Sequence, residues 1–216
     1  MHGTTAPLPP LAEQAQRLID LRVHVRAGLD AADVHAAAAQ AATDEPDVLL
    51  VVHPDRAPAS TIASLVEYSG KSGFVVIDMP DVDEFVPVDG LSIPATPLYT
   101  VHGIDRGDHL ANWSPNEALP VITRDGRTPL LLTEGIHWLL QRPDALERNH
   151  CFMTIGSRRR QGNGRLDART PAIWISNGSG RDGAEQRNAP KVGWCWAGNR
   201  HTWLGFASGS QRRALT

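Results

Sequence analysis

The chain is poor in several features that define common protein classes. It has two cysteines, Cys151 and Cys195, which lie far apart and belong to no C-x-x-C pair. This pattern indicates neither a disulfide scaffold nor a cysteine-based zinc site. No apolar run approaches the ~18 residues needed to cross a bilayer, so we expect no membrane association. The first residues, MHGTTAPLPP, lack the basic and apolar stretches of a secretory signal, which favours the cytoplasm.

Lysine is also scarce, since only Lys71 and Lys191 accompany nineteen arginines. The formal net charge is −3, but residues 148–216 carry +9 and residues 1–147 carry −12. Such a split favours either attraction between the two parts or contact between the basic part and an anion. A solvated surface with internal ion pairs would explain it as well. The acidic front and the negative total disfavour nucleic acid as a partner.

Helical periodicity marks the front of the chain. Apolar residues such as Leu11 and Leu18 recur at helical spacing over residues 11–29. Asp30 is placed to cap a second, alanine-rich helix that reaches about Ala42. We expect these helices to cover the core or to form a contact in a homodimer or heteromer.

Capping signals mark two further helix starts. Ser114-Pro-Asn-Glu117 combines a serine cap, a proline at the first helical position and a glutamate that bonds back to the cap. Pro120 should end this helix early. The second helix should begin at Thr133-Glu134 and bury its apolar face.

Short apolar runs predict strands at 47–53, 73–78, 97–102, 151–155, 171–176, 191–196 and 202–207, with helical turns within 60–68 and 80–85. No βαβ alternation, internal repeat or low-complexity linker is present. The fold class is therefore α+β, with N-terminal helices, a mixed or antiparallel sheet and a β-rich C-terminal third. We expect a helical segment over residues 1–45 and a core domain over 46–216 that form one structural unit.

Several segments resemble an uncharacterised family that is common in actinobacteria. They are Gly126-Arg-Thr-Pro-Leu130, Thr133-Glu-Gly-Ile136, Gly193-Trp-Cys-Trp-Ala-Gly-Asn-Arg-His-Thr-Trp-Leu-Gly205, Asn112-x-Ser-Pro, Cys151-Phe152 and Gly156-Ser-Arg158. The resemblance extends from about Phe74 to Ser208. It implies an actinobacterial, intracellular protein, and it transfers no activity or catalytic residue.

The first candidate site lies in the tryptophan-rich segment. Trp194 and Trp196 would project from one face of a strand, and Asn199, Arg200 and His201 would follow in a turn. Indole stacking, guanidinium pairing and a proton-transfer group together suit a planar or anionic ligand. The alternative is that the tryptophans belong to the core and the turn only connects two strands.

The second candidate is the loop Gly156-Ser-Arg-Arg-Arg160, where Arg158 and Arg159 could hold a phosphate, sulfate or carboxylate because guanidinium groups bind such anions in two places. A solvent-facing loop that balances the acidic front is the alternative.

The third candidate spans His102 to Asn112. Asp105, Asp108 and His109 could act as metal ligands or as an acid–base group, with Asn112 as a ligand contact. Their spacing matches no established metal signature, and a simple turn capped by aspartates explains it as well.

Together these patterns favour a small-molecule enzyme or binding protein that acts on an anionic metabolite. His201, or His109 with Asp105 and Asp108, would move a proton, and arginines would stabilise negative charge. A lyase, transferase or cyclisation reaction would suit these groups. No redox or other cofactor motif is present. The alternative is a non-enzymatic interaction or regulatory protein that uses the basic C-terminal face and the N-terminal helices.

Overall fold

The computed structural model describes residues 7–215, except for the side chain of Arg181. The α-helices in this range are α1 (Leu11–Asp20), α2 (Val23–Arg26), α3 (Ala31–Gln40), α4 (Ala59–Ile62), α5 (Pro115–Arg124) and α6 (Leu132–Gln141). Every helix in it is too short or too polar to span a bilayer. The first six residues, where we expect no secretory signal, lie outside the described residues.

The strands form two main sheets and three short pairs. In chain order they are β1 (Leu49–Val52), β2 (Glu67–Tyr68), β3 (Lys71–Ser72), β4 (Phe74–Val75), β5 (Val86–Pro87), β6 (Leu98–His102), β7 (Thr128–Pro129), β8 (Cys151–Met153), β9 (Ser157–Arg158), β10 (Arg169–Ile175), β11 (Pro190–Trp196), β12 (Leu204–Phe206), β13 (Ser208–Gly209) and β14 (Gln211–Ala214). One sheet is antiparallel, in the order β1-β6-β14, and the other is mixed, in the order β12-β8-β10-β11-β4. The architecture is α+β, as the sequence predicts.

Helix α6 lies between the two main sheets, and all ten of its residues are buried. A helix buried on every side needs apolar neighbours on every side. Trp138 packs on Phe152 of β8, with 4.9 Å between the ring centroids. On the same side, a Cβ at Gly135 would come within 2.6 Å of the Thr154 side chain, so glycine lets the helix approach the mixed sheet closely.

A buried ion pair joins the start of α6 to the antiparallel sheet. The Glu134 side chain has no exposed surface, and Arg212 of β14 donates to both of its oxygens at 2.6 and 2.7 Å. Glu134 also accepts the Tyr99 hydroxyl at 2.8 Å and the Leu131 N–H at 2.7 Å. Burial beside this carboxylate raises the pKa of Tyr99 well above its usual value. The cluster therefore connects β6, β14 and α6.

A buried histidine makes a second connection between the antiparallel sheet and α6. His137 donates from Nδ1 to the Thr133 carbonyl at 2.8 Å, and its Nε2 accepts the Val52 N–H at 3.3 Å. Both bonds require the neutral ring with the proton on Nδ1. Burial lowers the pKa of His137 to about 4. The end of β1 is thus held against α6 at His137.

Opposite charges hold the acidic front, residues 1–147, to the basic back, residues 148–216. Arg169 forms a two-pronged pair with Asp81 at 3.0 and 2.6 Å and also contacts Asp167. Arg159 pairs with Glu84 at 2.7 Å and Asp81 at 3.0 Å. The hydrogen bond from Arg169 is the main reason that the pKa of Asp167 falls to about 2. Of the explanations that the charge split leaves open, ion pairing between the two parts is observed.

Most predicted elements are confirmed, including the strands that became β1, β6, β8, β10, β11 and β12. The Ser114–Glu117 capping box is present, since Glu117 accepts the Ser114 N–H at 2.9 Å. The helical turns within 60–68 and 80–85 are also found, as α4 with the 3-10 turn that follows it and as the 3-10 turn Val82–Glu84. Helix α3 begins at Ala31 as expected, although Asp30 makes no side-chain cap bond.

The single helix predicted over 11–29 is wrong. Arg22 adopts a left-handed conformation with φ 58°, and the chain divides there into α1 and α2. The break redirects the backbone so that Val23 is fully buried. Helical periodicity alone does not register such a bend, because both halves keep an apolar stripe toward the core.

Two other expectations fail for reasons of packing. Helix α5 runs through Pro120 to Arg124, because buried Ala118 and Ile122 hold it and the lost hydrogen bond lies on its exposed side. The strand predicted over 73–78 is only Phe74–Val75, since the chain turns at the Met79 N–H to Val76 carbonyl bond. No sequence pattern predicted β14.

Stability should fall in acid because of His137. The unfolded chain binds a proton at the ordinary histidine pKa of about 6.5, whereas the folded ring resists protonation until about pH 4. The resulting loss in the free energy of unfolding between these pH values should be roughly 3 kcal/mol. Denaturant titrations from pH 7 to 4 should show this slope in wild type and in the exposed control His35→Gln. His137→Gln should be flatter, and an unchanged slope would contradict the assignment.

Breaking the Glu134–Arg212 pair should be costly. Arg212→Met leaves a buried carboxylate uncompensated, which typically costs about 3–5 kcal/mol. Arg213→Met is the matched control, because this neighbour on β14 is half exposed and pairs with Glu45 at 3.2 Å. Its loss should cost less than about 1 kcal/mol. Urea denaturation at pH 7 measures both, and equal costs would show that the buried pair has no special role.

Candidate functional site

A cavity of about 320 Å³ opens beside the start of α6. We call it the helix-start cavity. Ten of its fifteen lining residues are apolar, and the polar ones are His53, Asp55, Asp83, Thr133 and Ser157. The apolar walls are Pro54, Pro58, Ala59, Val82, Phe85, Val86, Pro87, Ile93, Leu131 and Leu132. A few polar groups in a mostly apolar concavity are typical of small-molecule sites.

The floor of the helix-start cavity is the first turn of α6, which presents unused hydrogen-bond donors. Thr133 is 7% exposed, and its hydroxyl oxygen is buried without a partner among the described residues. The N–H groups of Thr133 and Glu134 also have no acceptor in that range. The Leu132 N–H, in contrast, donates to the Ser157 hydroxyl at 2.9 Å. The helix dipole makes this end of α6 positive.

His53 lines the helix-start cavity where β1 ends. Its Nδ1 accepts the Asp55 N–H at 3.2 Å, so in the neutral ring the proton sits on Nε2. The ring packs edge-on against Tyr99, with 6.4 Å between centroids. Because Tyr99 is bonded to Glu134, the buried ion pair also supports the position of this histidine.

The wall formed by residues 82–87 is attached to the basic back. Asp83 accepts the Ser60 N–H at 2.9 Å, which connects the wall to α4. The pairs from Arg159 to Glu84 and Asp81 attach the same segment to the loop after β9. Directly before β9, a Cβ at Gly156 would lie 2.6 Å from the Pro129 carbonyl oxygen, so glycine is required there for Ser157 to reach its position. The cavity thus depends on contacts between distant parts of the chain.

Comparison with known proteins gives one match. A family model described as a family of unknown function, DUF5701, matches residues 17–215. The chain belongs to this family. No curated protein and no solved structure matches the chain. The DUF5701 match begins well before Phe74, where the resemblance in the sequence became visible, and it includes most of the N-terminal helices.

In this DUF5701 member, two of the three predicted sites lie side by side. The Asn112 N–H donates to the His201 carbonyl at 2.8 Å, and the Asn116 N–H donates to the Ala197 carbonyl at 3.1 Å. Asn112 and Asn199 are exposed. The His201 ring lies 5.4 Å from that of Trp203, its Nε2 is buried without a partner in the described range, and burial lowers its pKa.

The two predicted tryptophans lie on one face of β11, as expected. The ring centroids of Trp194 and Trp196 are 4.6 Å apart in an edge-to-face pair. Trp194 is half buried beside the Arg169 guanidinium, whereas Trp196 is 47% exposed. They form a surface rather than a wall of the helix-start cavity.

The predicted arginines have partners within the chain. Arg200 pairs with Glu117, and Arg159 pairs with three carboxylates. Arg158 is buried, donates to the Asp167 carbonyl at 2.7 Å and leaves its Nε without a partner among the described residues. These groups do not converge on one pocket. Their role as ligand-binding residues stays a prediction.

Both aspartates of the predicted acid–base group already accept hydrogen bonds from nearby residues. Asp108 accepts hydrogen bonds from the Nε and the Nη2 of Arg106 at 2.9 and 2.8 Å, and Asp105 accepts the Gly107 N–H at 2.6 Å. His109 is exposed. Within the described range, no three His, Cys, Asp or Glu side chains gather as a metal ion would require. Proton transfer by this loop stays a prediction.

Sequence reasoning missed His53, Thr133 and Ser157. His53 directly follows the buried run of β1, and Thr133 begins a predicted helix, so both stand where a buried element ends. That position is a usable signal. Ser157 lies within the predicted Gly156–Arg160 loop, in which the three arginines are the stronger sequence signal.

Proposed function

We propose that the chain binds a small, mostly apolar molecule in the helix-start cavity. The observation that carries this proposal is the combination of apolar walls with a buried Thr133 hydroxyl at the floor that has no partner in the part of the chain that the structure describes. A buried hydroxyl without a partner is costly, and a ligand acceptor would remove that cost. The volume of about 320 Å³ lies at the lower end of the range for small-molecule sites.

A non-redox reaction at this cavity is the enzymatic form of the proposal. His53 would transfer a proton from Nε2, and the first turn of α6 would stabilise negative charge that develops on the substrate. Lyase or transferase chemistry suits this pair of functions. The support is that His53 and Thr133 line one cavity.

The alternative, a protein that binds an acidic partner through its basic back, has less support because the arginines it needs are paired within the chain. It requires arginines of the basic back that are open to an acidic partner. Arg159, Arg169 and Arg200 already pair with carboxylates of the acidic front. Exposed Trp196 is the feature that favours a surface contact.

Blocking the cavity should abolish binding. Val86 lines the cavity and is 50% exposed, so Val86→Trp fills the opening with little expected loss of stability. Ile77→Trp is the matched control, because Ile77 is 80% exposed and does not line the cavity. Ligand-observed NMR with a library of small aromatic and aliphatic fragments measures binding to each protein.

Fragments that bind wild type and Ile77→Trp should lose their signal with Val86→Trp. The proposal is overturned if no fragment binds wild type, or if the fragments that bind do not distinguish the two variants. Thermal unfolding of each variant identifies any loss of fold.

A further inference from the structure

The first turn of α6 presents hydrogen-bond donors, and an apolar ligand alone would not use them. Three donors there lack acceptors among the described residues: the Thr133 hydroxyl and the N–H groups of Thr133 and Glu134. N–H groups of a first turn point out of the helix beyond its start. They suit a group that accepts several hydrogen bonds at once.

Negative charge is favoured at this position. The helix dipole contributes a partial positive charge at the start of α6. Glu134 lies at the same end, but its carboxylate is already matched by two hydrogen bonds from Arg212. His53 adds a further donor, since its Nδ1 is occupied by the Asp55 N–H and its Nε2 has no partner in the described range.

The charges around the cavity limit how much negative charge a ligand can carry. Among the described residues no lysine or arginine lines it, whereas Asp55 and Asp83 do. Asp55 is largely exposed and screened by water, with 88% of its side chain accessible. A doubly charged phosphate would meet two carboxylates without a full countercharge. A ligand with a single carboxylate matches the hydrogen-bond donors and meets less repulsion from the two aspartates than a phosphate does.

We propose that the ligand of the helix-start cavity is a small carboxylic acid, whose carboxylate binds the hydroxyl and the N–H of Thr133, which lines the cavity. This inference rests on the proposed function, since it names the head group of the molecule bound there. The apolar body lies against walls such as Val82, Phe85 and Ile93.

The test uses molecules that share a body and differ in the head group. Benzoate, benzamide, toluene and phenylphosphonate are titrated into wild type, Thr133→Val and Thr133→Ser, with dissociation constants from ligand-observed NMR. Benzoate should bind wild type at least about tenfold more tightly than benzamide, as expected for hydrogen bonds to a charged group. Thr133→Val should weaken benzoate by about tenfold and leave toluene unchanged. Thr133→Ser should keep most of the benzoate affinity.

The outcomes separate this inference from the proposed function. If toluene and benzamide bind as well as benzoate, and Val86→Trp blocks all three, the cavity binds ligands but the carboxylate is wrong. Tighter binding of phenylphosphonate than of benzoate also overturns the inference, as does an unchanged benzoate affinity in Thr133→Val. If no compound binds wild type, both proposals fail. Thr133→Ser serves as the folded comparison if Thr133→Val is unstable.

Discussion

The buried pair of Glu134 and Arg212 is the constraint on which the arrangement of this fold depends. Removing two charges from water is costly unless every remaining hydrogen-bonding group is satisfied. Here the Tyr99 hydroxyl and the Leu131 N–H serve Glu134, while the Pro129 carbonyl accepts from Arg212 at 2.9 Å. The pair therefore holds β6, β14 and the start of α6 in one relative position. The floor of the helix-start cavity is set by the same contacts.

The arginine-rich back shows that a basic composition does not by itself establish an anion-binding site. A segment with a net charge of +9 invites an interpretation as an anion-binding surface. In the folded chain, Arg159, Arg169 and Arg212 are directed at carboxylates of the front. Their charge is largely used to hold the acidic segments in place, including the wall of the cavity. The positive charge of these three arginines is already paired within the chain.

The helix-start cavity presents neutral donors where the sequence suggested charged ones. A helix start and a hydroxyl can bind an acceptor without burying a full positive charge, which would require its own countercharge. His53, which packs against Tyr99, places an imidazole in the same cavity. In the function that we propose, ligand binding and proton transfer share one end of α6, and this arrangement follows from the packing of the helix between two sheets.

The amino-acid sequence by itself determined the α+β class, the strands of the two main sheets other than β14, the Ser114–Glu117 capping box and the start of α6, because these depend on periodicity and caps within a few residues. It left open whether the opposite charges of the front and the back would pair with each other. Only the tertiary structure decided the break at Arg22, the passage of α5 through Pro120 and the pairing of β14 with β6. It likewise decided that His53, Thr133 and Ser157 would line one cavity. Those outcomes depend on contacts between residues about 25 to more than 100 positions apart, which no local pattern records.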